Sequence, residues 1–378
     1  MLDVPLEERL PSTQISVADV SDIAQGAAFL GTGGGGDPYI GRLMAEHAIR
    51  TYGMPKIIQV DDLHDDAVVF TVAMVGAPTV MLEKGISGDD IDLSINRLAQ
   101  VIGKMPDAIA PIEIGGINSM LPIAAAARLG LPLVDCDGMG RAFPEIQMVT
   151  YNVHGVSCTP AVVVNEHLET VVVETSSAKR AEDIVRVVAI QMGLSVLFSA
   201  YPMSGKQIKD FSIRETLSVA AGIGSALRRG RQQGDPVNSL LNYLRSTKYF
   251  KHCKVLFDGK ITDLERSASK GFSTGHCQVS SVEKPNEWVT IRFQNENLVV
   301  EKLGKIIAIV PDLISIVDSE SAQPITVESL KFGQRVKVIG TSAAPIMRTP
   351  EALAVFGPAA FGFEEEFQKL EEIHQDTE

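Results

Sequence analysis

The sequence predicts an α/β protein, with a layered α/β N-terminal domain and a smaller all-β, barrel-like domain. Three observations predict it. Strand-like and helix-like segments alternate through the first two thirds of the chain, as in a parallel or mixed sheet covered by helices. From Lys251 the pattern changes to short β-like runs separated by Gly, Asn, Asp and Pro, as in a barrel or sandwich. The 378 residues also exceed the size at which one core usually stops growing, so two domains are expected. The expected division is 1–247 for the α/β domain, 248–345 for the β domain, and 346–378 for a C-terminal segment packing back on the first domain.

Residues 16–30 read as a helix: Ser16 and Asp19 form a capping-box pattern, and Val17, Val20, Ile23, Ala24 and Ala27 share a face. The glycine loop 31–36 follows, then Asp37 as an N-cap and Pro38 as the first residue of a helix ending at Gly53. Strands are expected at 56–60 and 67–75, a helix at 89–102, a strand at 108–114 and an Ala-rich helix to Leu129 capped by Asn118 or Ser119. Leu131, Leu133 and Val134 make a buried strand, and 146–174 read as antiparallel strands turning at Asn165. A helix over 178–193 is expected, then a capping box at Ser212–Glu215 opening a helix that stops near Gly230, then a helix from Asp235-Pro236 through Leu244. The β-like runs are 254–257, 275–282, 288–293, 298–302, 305–310, 313–317 and 335–339, and the acidic end of the tail is expected to fray.

A net charge of −13 argues against nucleic acid and against anionic membrane surfaces as partners. No apolar run is long enough to span a bilayer, and the first residues lack a signal peptide's basic and apolar regions. The scattered cysteines Cys136, Cys158, Cys253 and Cys277 read as free thiols in a reducing cytoplasm. A symmetric homo-oligomer is expected from the frequency of such assemblies.

The stretch 131–147 is the first candidate for chemistry. A buried strand runs into Asp135, Asp137, a glycine turn, Arg141 and Glu145. Such dense charge is costly unless paired, solvated at a cleft or bound to a ligand, and clefts in open α/β sheets lie at the carboxyl ends of strands. A salt-bridged loop, with Arg141 on Asp135 or Glu145, is the structural alternative. Asp135 and Asp137 suit acid–base work or a divalent metal such as zinc, which His154 or Cys158 would complete. Glu113 and Asn118, around a Gly-Gly turn at another strand end, suit the polar edge of a heterocycle.

The loop Gly31-x-Gly33-x-x-Gly36 matches the dinucleotide fingerprint literally, but a helix precedes it where the motif needs a strand. No Lys-Ser or Lys-Thr follows, so it is no P-loop. What survives is an anion or oxyanion site from Gly33, Gly34, Gly35, Gly36 and Asp37 at a helix start. His252-Cys253 and His276-Cys277 resemble a paired zinc site, but neighbours on a strand point to opposite faces.

The segments 31–38, 113–119, 135–145 and Pro311-Asp312-Leu313-Ile314 together resemble the S-methyl-thiohydantoin desulfurase family, over about Ser16 to Phe363. The family is often encoded beside or fused to hydantoinase and oxoprolinase subunits. Cys136 stands where the family pattern has a small residue, and Ala359–Phe363 is looser than the family's Pro-Arg-Ala-Phe-Gly-Tyr form. The resemblance implies hydrolysis at C2 of a five-membered thiohydantoin-type ring, with release of a thiol. The expected catalytic residues are Asp137, Asp135, Glu145 and Glu113. Gly33–Gly36, Asp37, Asn118 and Arg141 are expected to bind the heterocyclic substrate, and Asp135, Asp137 and His154 are the metal candidates. The alternative is a non-catalytic partner subunit of a hydantoinase-type or oxoprolinase-type enzyme.

Overall fold

The computed structural model describes residues 13–76, 80, 84, 87–269, 272–284 and 286–373. The first residues of the chain and the acidic end from 374, expected to fray, lie outside them. Helices and sheets are mixed, and the C-terminal part carries a curled half-barrel sheet. Among the described residues no helix is long and apolar enough to cross a membrane.

Helix α1 (Val17–Leu30) has the Ser16–Asp19 capping box. In front of α2 (Tyr39–Tyr52) the cap position is Pro38, one residue later than expected, and Asp37 Oδ1 accepts from the Tyr39 N–H at 2.9 Å. The first sheet has seven strands in the order β1-β4-β3-β2-β8-β6-β7: β1 (Ile57–Ile58), β2 (Val68–Gly76), β3 (Ala108–Pro111), β4 (Leu133–Val134), β6 (Ala161–Val164), β7 (Thr170–Val173) and β8 (Ser195–Ser204). β1, β4, β3 and β2 are parallel, whereas β8 runs antiparallel to both β2 and β6. Helices α3 (Asp89–Ile102) and α4 (Met120–Leu129) pack on this sheet, α4 against β2 and β3.

β8 has no counterpart in the sequence reading. Its run Val196-Leu197-Phe198-Ser199-Ala200-Tyr201 is buried on both sides, so it shows no alternation to announce a strand. The 146–174 stretch is also less regular than expected. It holds one helical turn, α5 (Thr150–Val153), before the β6–β7 hairpin, whose corner is built by Asn165 Oδ1 accepting from His167 and Glu169.

A larger correction concerns Ser212–Glu215. Ile213–Arg214 form β9, pairing antiparallel with β5 (Cys136–Asp137), and the following helix starts only at Thr216. Glu215 is left-handed (φ 62°) and caps nothing with its side chain. The pairing with β5 uses the residues that a capping box would need. After α6 (Ala178–Gln191) and α7 (Gly205–Phe211), this helix, α8 (Thr216–Gln233), runs past Gly230 to Gly234 and packs against α1 and α9 (Pro236–Ser246).

The second sheet has the order β14-β13-β12-β11-β10-β16-β15. Its strands are β10 (Cys253–Ser269), β11 (Phe272–Ser280), β12 (Trp288–Gln294), β13 (Glu296–Lys302), β14 (Lys305–Ile309), β15 (Leu313–Asp318) and β16 (Arg335–Thr341), all antiparallel. β14 and β15 are opposite edges, yet only residues 310–312 join them. A link that short forces the sheet to curl until its edges approach. Phe257, Ile261, Cys277, Val289 and Ile291 fill the curl, while Leu298, Val299 and Leu313 belong to the first sheet's core. The tail helix α10 (Pro350–Phe356) stacks Phe356 on Phe143 of the acidic loop at 4.9 Å.

α1 and α8 cross with almost no side chain between them. A Cβ on Gly26 would lie 1.9 Å from the Ala220 carbonyl oxygen, and one on Gly224 2.0 Å from that of Asp22. Gly26→Ala must therefore push two backbones apart, and we expect it to cost about 1–3 kcal/mol. Urea unfolding of the variant checks this, and an unchanged midpoint would show that the helices are free to shift.

Candidate active site

The carboxyl ends of β2 and β3 open into a cavity of about 90 Å³, space for several water molecules or a small ring. Its wall takes Met74 to Gly76 from β2, Glu113 and Asn118 from the end of β3, and Phe143 to Ile146 from the acidic loop. α6 adds Glu182 and Arg186, the glycine loop adds Gly34 and Gly35, the β12–β13 corner adds Asn295 and Glu296, and the 3-10 turn Val327–Ser329 adds Glu328. The position matches the rule for open α/β sheets. The sequence reading did not include Glu182, Arg186, Glu296 or Glu328, because the four come from three separate elements and none has a local signature.

Glu113 is the most constrained of these acids. Asn118 Nδ2 donates to its Oε1, and the Phe143 N–H reaches Oε2 at 3.4 Å. Asn118 is fixed in turn, accepting from Met74 N at 2.7 Å and donating to Met74 O at 3.2 Å. Burial pushes the Glu113 carboxyl up to about 8, and the nearby Asp137 adds to the rise. At neutral pH it is chiefly an uncharged acid held against the cavity. Glu145 lies half-buried in the same wall, bonded by the Gln147 amide, with Lys179 Nζ at 3.9 Å. Glu182 is committed: it accepts from the Ile146 N–H and from Arg186, whose guanidinium also bonds Pro144 O and covers the Phe272 ring.

Asp135 and Asp137 do not line the cavity. Asp135 is the missing cap of α8: its Oδ1 accepts from Leu217 N and Ser218 N at 2.9 and 3.2 Å, and its Oδ2 from the Ser218 hydroxyl. Asp137 Oδ2 accepts three backbone N–H groups, from Ile114, Met139 and Gly140, which bind the acidic loop to the end of β3. Burial raises the Asp137 carboxyl to about 7, opposed by these N–H groups and by the Thr216 hydroxyl. Asp135 lies between β4 and β5 and Asp137 on β5; both are buried, and they accept from backbone N–H groups and, for Asp135, from the Ser218 hydroxyl and the Gln59 amide.

The metal candidates do not assemble. His154 is exposed and stacks on Phe211 at 4.7 Å, whereas Asp135 and Asp137 are buried. Among the described residues no three His, Cys, Asp or Glu side chains are grouped to hold an ion. All four cysteines are buried free thiols, and burial raises Cys136, the thiol beside both aspartates.

Arg141 pairs with neither Asp135 nor Glu145 and does not reach the cavity. Fully buried, it donates to the carbonyls of Ala142, Asn297, Pro311 and Asp312 and to Thr32 Oγ1, at 2.9 to 3.2 Å. It is a clamp between the acidic loop, the glycine loop and the 310–312 link. The glycine loop is a seam as well: Thr32 O, Gly33 O and Gly35 O accept from Asn297, Val327 and Ile117. Gly34 and Gly35 line the cavity, whereas Gly33 and Gly36 do not, and Asp37 lies in a different cleft beside Tyr39 and Arg42.

The fold and cavity define an α/β protein with an acid-lined pocket between a mixed sheet and a curled β sheet. The chain belongs to the S-Me-THD-like family, whose N-terminal domain model matches residues 18–175 and whose C-terminal domain model matches residues 176–370. That division falls between β7 and α6, ahead of the last strand of the first sheet. An X-ray structure of a protein from Chromobacterium violaceum is similar, with a TM-score of 0.79 and 25 % identity over 95 % of this chain and 100 % of that one. No curated protein matches.

The anchoring of the loop by Asp137 gives a prediction. Asp137→Ala would orphan three buried N–H groups, each costing about 1–3 kcal/mol, so we expect severe destabilisation. Asp137→Asn keeps an acceptor for them and should stay within about 1.5 kcal/mol of the wild type. Chemical denaturation of both variants checks the contrast, and equal losses would refute the loop-anchor role.

Proposed function

We propose that the chain is a hydrolase acting on a five-membered hydantoin-like ring, as an S-methyl-thiohydantoin desulfurase. One observation carries the reading: Glu113, a buried carboxyl oriented by Asn118 and pushed up to about 8, faces a ring-sized cavity at the carboxyl ends of the parallel strands. Family membership supplies the class of ring.

In this reading the water oxygen bonds to C2 while one of its protons passes to Glu145. The C2=N electron pair moves onto the ring nitrogen, which takes the Glu113 proton. In the collapse, C2=O forms and the C–S bond breaks. The hydroxyl proton returns to Glu113, and Glu145 hands its proton to the departing thiolate. Both carboxyls end as they began, and the products are a thiol and a hydantoin. A proton donor and a proton acceptor in one cavity is the arrangement that such a reaction needs.

The test is thiol release from S-methyl-thiohydantoins with hydrogen, alkyl or propionate at C5. We expect release by the purified chain and a loss of about 10²–10⁴ in turnover for Glu113→Gln. Glu113 works as an acid only while protonated, so the rate should fall as pH rises through about 8, and the Gln variant should lack that limb. No release from any of these rings would overturn the proposal.

A further inference from the structure

Asn295 takes no part in the scheme above. It stands half-buried at the β12–β13 corner, in the cavity wall. Gln294 and Glu296 pair across it, so this one residue turns the chain, with a left-handed backbone (φ 58°). Asparagine tolerates that conformation, but so do glycine and aspartate, and the turn does not use the side-chain NH2. The Asn295 N–H donates to Ser273 O, and the Ser273 N–H donates to Asn295 Oδ1, both at 2.8 Å. A backbone N–H only donates, so it fixes which way the amide faces: Oδ1 on Ser273, Nδ2 away from it.

Nδ2 has no acceptor among the described residues. The wall holds one other side-chain amide, Asn118, whose Nδ2 already bonds Glu113 Oε1 and Met74 O. Arg186 is tied through Nε and Nη2 to Glu182 and Pro144 O. The remaining polar side chains of the wall are the carboxyls of Glu113, Glu145, Glu182, Glu296 and Glu328. An amide N–H donates at any pH, whereas a carboxyl donates only while protonated. Asn295 is therefore placed to meet an acceptor that carries no proton, such as an acyl oxygen. A hydantoin-like ring with a thioether at C2 has one, at C4. With the double bond at C2=N1, N1 and the C4 oxygen project from non-adjacent ring atoms, and Glu113 and Asn295 reach the cavity from different sheets.

We propose that Asn295 is a specificity residue whose Nδ2 donates a hydrogen bond to the C4 oxygen of the ring. This rests on the ring reading of the preceding subsection and adds the residue that holds the side of the ring away from Glu113. The C4 oxygen is an acceptor both before and during attack at C2, so the bond contributes to binding and not to the chemical step. Its loss raises KM and leaves kcat, whereas loss of the Glu113 proton lowers kcat.

Steady-state thiol release tests it, on the wild type, Asn295→Gly and Asn295→Asp. The substrates are S-methyl-thiohydantoins with oxygen or sulfur at C4, each with hydrogen or propionate at C5. Glycine keeps the left-handed turn without the amide. Aspartate keeps an acceptor for the Ser273 N–H and puts a second acceptor where the donor was. Affinity is read as KM, or as an inhibition constant where the sulfur ring is not turned over. We expect Asn295→Gly to raise KM for the C4-oxygen rings about tenfold, with kcat within about twofold of the wild type. For the C4-sulfur rings, where the acceptor is weak, its affinity should match that of the wild type. Asn295→Asp should weaken the oxygen rings at least as much, and it decides if the glycine variant does not fold. An unchanged KM for the oxygen rings, equal losses for oxygen and sulfur, or a loss confined to the propionate rings would overturn the proposal. Thiol release with any of these patterns refutes only the role of Asn295, whereas no thiol release from any ring refutes the ring reading and this role with it.

Discussion

The buried guanidinium of Arg141 is the constraint on which the rest depends. Its donors end on Thr32 of the glycine loop, on Asn297 of β13, and on the Pro311 and Asp312 carbonyls of the link that closes the curl of the second sheet. Those carbonyls could not be left bare in an interior, because an unpaired buried acceptor costs as much as a lost hydrogen bond. A planar, five-donor group is the side chain that can satisfy so many at once. The side chain of Asp312 continues the anchorage outward, accepting from Ala343 N, Leu370 N and Arg348, which also binds Glu371. The C-terminal segment is thereby tied to the same point.

The cavity follows from this clamp. Because the acidic loop must bring Arg141 to the second sheet, it passes over the ends of β2 and β3 and leaves Phe143 to Ile146 as a wall. Because the glycine loop meets Glu296 and Val327 at backbone distance, it leaves no room for side chains there. Carboxyls from both sheets are then enclosed together, with Arg186 already committed to Glu182. Crowding acids in a dry space is unfavourable for their charged forms, so Glu113, Glu296 and Glu328 are all raised. The pocket presents hydrogen donors as well as acceptors, which a cluster of ionised carboxylates would not.

Much of this was legible in the chain. The capping box at Ser16, the Asn165 turn and the change to β runs after Lys251 are local signals, and each appears in the structure where its physics places it. The strand ends bearing Glu113 and Asn118 were legible for the same reason, since a glycine turn after a buried strand marks a loop at a sheet's edge. The dense charges of 135–145 were rightly read as needing partners, but the partners were misassigned. Asp135 caps a helix more than eighty residues away in sequence, and Arg141 serves carbonyls more than one hundred and fifty residues away.

The sequence by itself determined the segment types, the two-part layout of a mixed region followed by a β region, and the family, because caps, turns, periodicity and contiguous motifs act over a few residues. Only the tertiary structure decided which carboxyls face the cavity. Glu296 and Glu182 are ordinary acids in their own segments, and Asp137 looks more reactive than either until its three amide partners are seen. A carboxyl's protonation depends on the solvent it loses and on the charges facing it. Both are set by chain segments far apart in sequence and are fixed only when the two sheets close on Arg141.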